Sequence, residues 1–409
     1  MPSLLSSLFT GVSGLSANSE AMGIIGDNIS NVNTVGFKSS RAVFSELFST
    51  VLANGSTTRQ LGRGAALSGS LKEFSQGAFE SSSNALDMAI DGSGFFVVNN
   101  GTGNQYTRAG QFRLNENGLV QSITGETLQG QQIQNGVAST TVGNIDLAGV
   151  QSAPQATTTF TIGTNLDSSS SASTTFTTPV SIYNSVGTQV IASIQFTKVS
   201  GSNSWTYGIT TSEGTVTSGA SGTVSFDNSG QLSSPTTDPS IVIDYSSATS
   251  PAASQTLNWD LIGSSGTTNG KLTGFAASSN NNSLVQDGFS TGTLIGLTTN
   301  GAGIISGLFN NGQTDQLYQV TLGDFLAPSG LTRMGNNLFS ETADSGQVVL
   351  GTAGTGGFGD ITGQSLELSN VDLAEQFVSL IQMQQAFQAS ARIITTTDDL
   401  LTEAVNLVR

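Results

Sequence analysis

Residues 27–38 read DNISNVNTVGFK, and the meaning of this stretch decides how the rest of the chain is organised. Before it, Leu5, Leu8, Val12, Leu15, Met22 and Ile29 recur at three- and four-residue spacings, with Ser19 and Gly26 filling the gaps. That period predicts an amphipathic helix. Inside the stretch the period breaks. Asn28, Asn31 and Asn33 crowd the helix end, Gly36 offers a second turning point, Phe37 an apolar anchor, and Lys38 is the first basic residue of the chain. Asparagine and glycine both tolerate the left-handed backbone that ends helices. A catalytic loop, a cation site and a packing joint are the three readings. Only Asp27 brings charge close to the asparagine oxygens, too little to hold calcium well, so the packing joint is favoured.

A second helix is predicted at the other end. Leu373, Phe377, Leu380, Gln384, Phe387, Ala391, Ile394, Asp398, Leu401, Val405 and Val408 alternate spacings of four and three, and all but Gln384 and Asp398 are apolar. This is a narrow coiled-coil seam rather than the wide face of a globular helix. Asp372 followed by Glu375 reads as its start, with a capping-box-like glutamate. The two apolar stripes can be buried on each other, on the body between them, or on further copies of the chain.

Between the helices the period falls to two. Val190, Ala192, Ile194 and Phe196 alternate with mostly polar neighbours after a turn at Asn184-Ser185-Val186-Gly187. Residues 151–290 are dominated by Ser and Thr, hold only Lys198 and Lys271 as basic residues, and contain both Trp. Regularly spaced aromatics argue for an all-β domain and against disorder, and SSSSAS at 168–173 reads as a loop tip. Blocks around 70–150 and 290–365 also read as β-rich. The expected fold is multi-domain α+β: terminal helices paired as a coiled-coil-like inner domain, with nested, mainly-β outer domains. The expected boundaries are 1–35 with 368–409 for the helical domain and 36–70 for a connecting segment. A β-rich middle domain takes 71–150 with 289–367, and an inserted all-β domain takes 151–288.

Composition removes most chemistry. The 409 residues carry a net charge of -16 with no His and no Cys. Disulfides, thiol catalysis, Ser-His-Asp triads and His-ligated zinc are therefore excluded. So acidic a chain is a poor partner for nucleic acid, and no apolar run approaches a membrane span. The absence of a basic residue before Lys38 is unlike the start of a secretory signal. Gly354-Thr355-Gly356-Gly357-Phe358-Gly359 fits a dinucleotide fingerprint literally, but no helix is predicted after it, so it reads as a turn. Asp87, Asp91, Glu116 and Glu126 lie near predicted turns with no spacing that selects a catalytic pair, and Asp91 with Ser93 is only a fragment of a calcium loop. Trp205, Tyr207 and Trp259 fit a sugar platform or, more simply, a small β core. No catalytic, cofactor or metal residue is expected.

The residues also carry a resemblance. DNISNVNTVGFK, and SNVDLAEQFVSLIQMQQAFQASARIITTTDDLL at the C-terminal end, resemble the paired signatures of the bacterial flagellar rod and hook axial proteins. AIDGSGFFVV at 89–98 and YTRAGQFRLNENGLVQSITGETLQG at 106–130 are similar to the same family. The blocks at 180–209, 286–325 and 330–346 look like the hook members' inserted and flanking domains, which favours hook over the shorter distal-rod type. Asn184 and Val186 depart from the Asp and Leu usual in that turn. The resemblance implies a structural, non-enzymatic subunit that polymerises into a curved helical tube and passes torque as a universal joint. It further implies export through the flagellum without a cleaved signal, and an extracellular location. The implied partners are further copies of itself, rod and hook-filament junction proteins, the hook cap and the export apparatus. Nucleic acid and membrane insertion are not expected. A distal-rod-type protein and, from another class, an extracellular polysaccharide-binding β protein are the alternatives. Asn28, Asn31, Asn33, Gly36, Phe37, Leu373, Phe377, Leu380, Phe387, Ile394, Leu401 and Val405 are the expected packing residues.

Overall fold

The computed structural model describes residues 2–47, 50–54, 57–249, 251–263 and 267–406, without side chains at 2–5, 50–54, 57–61 and 404. Val408 of the seam lies outside the described residues, as does the side chain of Leu5. The chain forms two compact units: residues 1–149, 296–307 and 315–409 make the first, and 150–295 with 308–314 the second.

The first unit opens with helix α1 (Pro2–Ser30) and closes with helix α2 (Leu373–Asn406). Proline fits the first turn of α1, where its missing N–H has no helical partner to lose. Asp372 caps α2, its Oδ1 accepting from the N–H groups of Ala374 (2.8 Å) and Glu375 (3.3 Å). The helices pack antiparallel. The position a Gly11 Cβ would take lies 2.9 Å from Ile394, Gly14 faces Ser390, and the Asn28 amide donates to Gln376 Oε1 at 3.0 Å.

The contact face of α1 is not the large apolar stripe. It consists of Gly11, Ala17, Ala21, Ile25 and Asn28, all buried, while Val12 is 48 % exposed and Leu8, Leu15, Met22 and Ile29 are half-buried. Small residues win this face because α1 is hemmed in twice, by α2 and by a hairpin of Ser40–Glu46 against Ala65–Lys72. Gly64, just before the second of these strands, sits directly on Thr10 and Ser13. Part of residues 36–70 is thus a hairpin packed on α1.

Strands of the β body in this unit surround Thr127–Gln134, which pairs with Phe95–Asn99, Thr314–Asp324 and Val137–Asn144. Strand Phe95–Asn99 separates two cores by side-chain alternation. Phe96 and Val98 enter a cluster with Met88, Ile90, Phe112 and Leu322. Phe95 and Val97 point the other way, to Tyr106, Phe325 and Phe339.

The second unit is a pair of sheets over one core. A five-stranded meander runs Thr175–Tyr183, Gln189–Lys198, Ser204–Thr211, Ser221–Phe226 and Leu232–Ser234. The other sheet is built around Thr159–Asn165, with Gln255–Trp259 and Asn280–Gln286 beside it. Along Gln189–Lys198 burial alternates residue by residue, with Val190, Ala192, Ile194 and Phe196 inward. Trp205 and Trp259 are fully buried and Tyr207 stands edge-on to Trp259 at 5.3 Å. That placement leaves no aromatic platform for a sugar there. The chain enters and leaves this unit side by side. Gln155 and Phe289 exchange two backbone hydrogen bonds of 3.0 Å, and Ser152 pairs with Gly292.

Candidate assembly joint

Where α1 ends, the chain enters a dense polar junction. The last turn frays through bonds from Asn31 N–H to Asp27 and Asn28 carbonyls, and Asn31 Nδ2 also donates to Asp27 O at 2.8 Å. The Asp27 carbonyl thus accepts twice from Asn31, and the shorter side-chain bond reinforces the long backbone bond of the fraying turn. Asn28 does more. Fully buried, it accepts from Ser40 N–H (2.9 Å) and donates to Ser40 O (2.8 Å) and Gln376 Oε1 (3.0 Å). One amide therefore ties α1 to the first hairpin strand and to α2. Asn33 is exposed and lies outside this network.

Gly36 turns the chain with φ +68°, and any Cβ there would sit 2.5 Å from Ala109 N. Both facts exclude a side chain. Its N–H donates to Glu367 O at 2.8 Å. Phe37 then buries its ring under the Arg333 guanidinium, 5.1 Å from the ring centre, while Arg333 pairs with Asp27 at 2.9 Å.

Beneath the turn lies a buried charge cluster. Lys38 Nζ donates to Glu367 Oε1 at 2.6 Å and to Ser75 O at 2.7 Å, and neither member of the pair exposes its side chain. Glu367 also accepts from Gly77 N–H (2.9 Å) and from Arg108 (3.4 Å). Arg108 donates onward to Gly92 O at 2.7 Å and covers the Phe95 ring. Burial pushes the Lys38 and Arg108 pKa values down, and the Glu367 carboxylate opposes both shifts. Asn370, in the strand-to-α2 connection, accepts from Ser39 N–H and donates to Glu73 O, both at 2.8 Å. The connections of both helices to the body are therefore laced to each other.

Of the residues the sequence marks, Asn28, Asn31, Gly36 and Phe37 sit in this joint; Lys38 enters it as half of a buried ion pair, and Glu367, Arg108, Asn370 and Gln376, which are not among the expected packing residues, complete it. One signal was available: Ser30-Asn31-Val32-Asn33 and Ser369-Asn370-Val371-Asp372 repeat the same polar pattern beside the two helices. Along α2 the seam divides. Leu380, Phe387, Ile394 and Leu401 are half-buried, together with Gln376, Met383 and Ser390. Leu373, Phe377 and Val405 point away, 40 %, 51 % and 58 % exposed, joined by Val378 and Ile381. Among the described residues no group of three acidic side chains is placed to hold a metal ion, and no helix is long and apolar enough to cross a membrane.

Four families match along the chain. Residues 8–38 match the family described as Flagella basal body rod protein, and 89–165 the Flagellar hook protein FlgE/F/G D1 domain. Residues 151–289 match the Flagellar basal body protein FlaE D2 domain, and 362–407 the Flagellar basal body rod FlgEFG protein C-terminal. The flagellar hook protein of Borreliella burgdorferi is 32 % identical, over 99 % of this chain and 100 % of that protein. The hook protein of Escherichia coli K12 is also 32 % identical, over 97 % and 98 %. A crystal structure of a Helicobacter pylori flagellar hook protein covers 70 % of this chain and 100 % of its own, with a TM-score of 0.45 and 14 % identity. With whole-length relatives above 30 % identity and family matches from the first helix to the last, the chain belongs to the bacterial flagellar hook proteins, structural subunits and not enzymes.

Proposed function

We propose that the chain polymerises head to tail into the hook tube, and that its exposed helical apolar residues are the surface that assembly covers. One observation carries this reading: the α1–α2 pair buries a small-residue seam and leaves Phe377, Val378 and Ile381 in solvent, contiguous over little more than one turn. Such a face, on a unit whose contacts are heterologous and do not close, builds an open helical filament. The inner helices then form the tube wall, the β units form outer layers, and the tube passes torque while it bends. Asn28, Asn31, Gly36 and Phe37 hold the angle between helix pair and body, while Leu380, Phe387, Ile394 and Leu401 hold the helices together. Leu373, Phe377 and Val405 face other copies. The implied partners are rod and hook-filament junction proteins, the cap during growth and the export apparatus, with final placement outside the cell without a cleaved signal.

The test is electron microscopy of assembled protein. The unaltered chain forms curved tubes with an axial channel. Phe377→Asp combined with Ile381→Asp keeps the helical circular dichroism signal of the subunit and forms none. Normal tubes from this variant would refute the assignment of the face.

A further inference from the structure

We infer that the face Phe377–Ile381 of one copy seats on a second, distant apolar groove of the next copy, and that this fixes an axial stagger between neighbours. The inference rests on the assembly reading above and names the partner surface. The groove, about 410 Å³, lies between α1 and the end of the hairpin strand, lined by Phe9, Val12, Leu47 and Arg63. Phe9 is 56 % exposed, Val12 48 % and Leu47 39 %.

The helix register decides the pairing. Gly11 faces Ile394, Gly14 faces Ser390 and Asn28 meets Gln376, so Phe377–Ile381 lies level with α1 residues 23–27. At that level the exposed residues of α1 are Gly23 and Asp27, flanked by Ser19, Glu20 and Ser30. A neighbour at the same height would set its apolar face against glycine and charge. Among the described side chains of α1, the exposed large apolar ones are Phe9 and Val12, about 14 residues nearer the free end. In a polar filament all copies point the same way, so a neighbour's α2 runs antiparallel to α1 just as the chain's own α2 does. The Phe377–Ile381 face meets the large apolar side chains of α1 only when the neighbour is shifted along the helix axis by about 22 Å, at 1.5 Å per residue; at equal height Phe9 and Val12 would meet the smaller exposed edge of Ile393 alone. Arg63 at the groove and Glu375 beside Phe377 then add charges of opposite sign to the same contact.

The chain has no cysteine, which makes the test clean. Val12→Cys is combined in turn with Phe377→Cys, Val378→Cys and Ile381→Cys, and assembled tubes are oxidised and run without reductant. At least one pair gives a ladder of covalent multimers, several-fold above either single-cysteine variant, whereas Val12→Cys with Leu400→Cys gives none. A ladder from the Leu400 pair instead, or tubes with no ladder from any of the three pairs, overturns the stagger and leaves the assembly reading intact. Failure of the unaltered chain to form tubes overturns both. Image reconstruction of the same tubes must show adjacent helix pairs offset by about 22 Å.

Discussion

Replacing Glu367 by Gln should unlock the first unit while leaving the second untouched. Gln is nearly isosteric and can still accept from Lys38 and Gly77, so the change removes charge rather than volume. Two cations then lose their counter-charge, Lys38 with a fully covered side chain and Arg108 with one 5 % exposed. Breaking one side of a buried ion pair costs about 3–5 kcal/mol, a large fraction of the roughly 5–15 kcal/mol of a typical domain. With a urea slope of about 2 kcal/mol per molar, the unfolding midpoint of that unit should fall by about 2 M. The molecule supplies its own separate reporters. Both long helices belong to the first unit, so circular dichroism at the helical band follows it; both Trp residues belong to the second, so their fluorescence follows that one. Glu367→Gln should move the dichroism transition and not the fluorescence transition. A dichroism midpoint within about 0.3 M of the unaltered protein would show that the cluster contributes little. Equal movement of both transitions would refute the independence of the two units.

Asn28→Ala should remove three hydrogen bonds and leave the Ser40 N–H and carbonyl unpaired, at about 2–4 kcal/mol. Hydrogen exchange at the Ser40 amide should then quicken between about 30- and 900-fold, and unchanged protection would argue against the clasp. Gly36→Val forces a β-branched side chain into φ +68° and into the backbone of Arg108 and Ala109. Tube assembly should fail while Trp fluorescence of the second unit stays native; normal hooks would contradict the joint. Lys72, whose pKa burial and nearby Arg333 lower to about 8 while Asp27 opposes, gives a pH signature. Between pH 8 and the ordinary 10.5 the unfolded chain holds a proton that the folded one has released, so stability rises with pH across that window. Above pH 10 the burial of Tyr106, whose pKa is raised to about 12, works in the opposite direction. Dichroism-monitored unfolding from pH 7 to 9.5 should therefore show a rise that Lys72→Met flattens.

The helices and the inserted β core were legible because their periods run long enough to survive single polar positions such as Ser19, Gly26, Gln384 and Asp398. Val190, Ala192, Ile194 and Phe196 point inward as their alternation demands, and Trp205 and Trp259 fill the core that their neighbours build. Which helix face meets which partner was not legible. A seam such as Leu373–Phe377–Leu380–Phe387 spans two adjacent faces, and only the fold reveals that Leu380 and Phe387 turn inward while Leu373 and Phe377 do not. Ala17 and Ala21 carry almost no hydrophobic signal, yet their small size allows the close approach that puts them in the contact. The charge cluster was invisible for another reason. Lys38 and Glu367 are 329 residues apart, and the alternation of Leu366, Glu367 and Leu368 reads as a strand with its acid in water.

The side-by-side strands at Gln155 and Phe289 also bear on how such a chain changes over generations. Because the chain leaves the second unit beside the point where it arrived, residues added or lost between those strands need not move the strands that carry them. Residues gained or lost within the second unit would therefore leave the length and register of the two helices to the first unit alone.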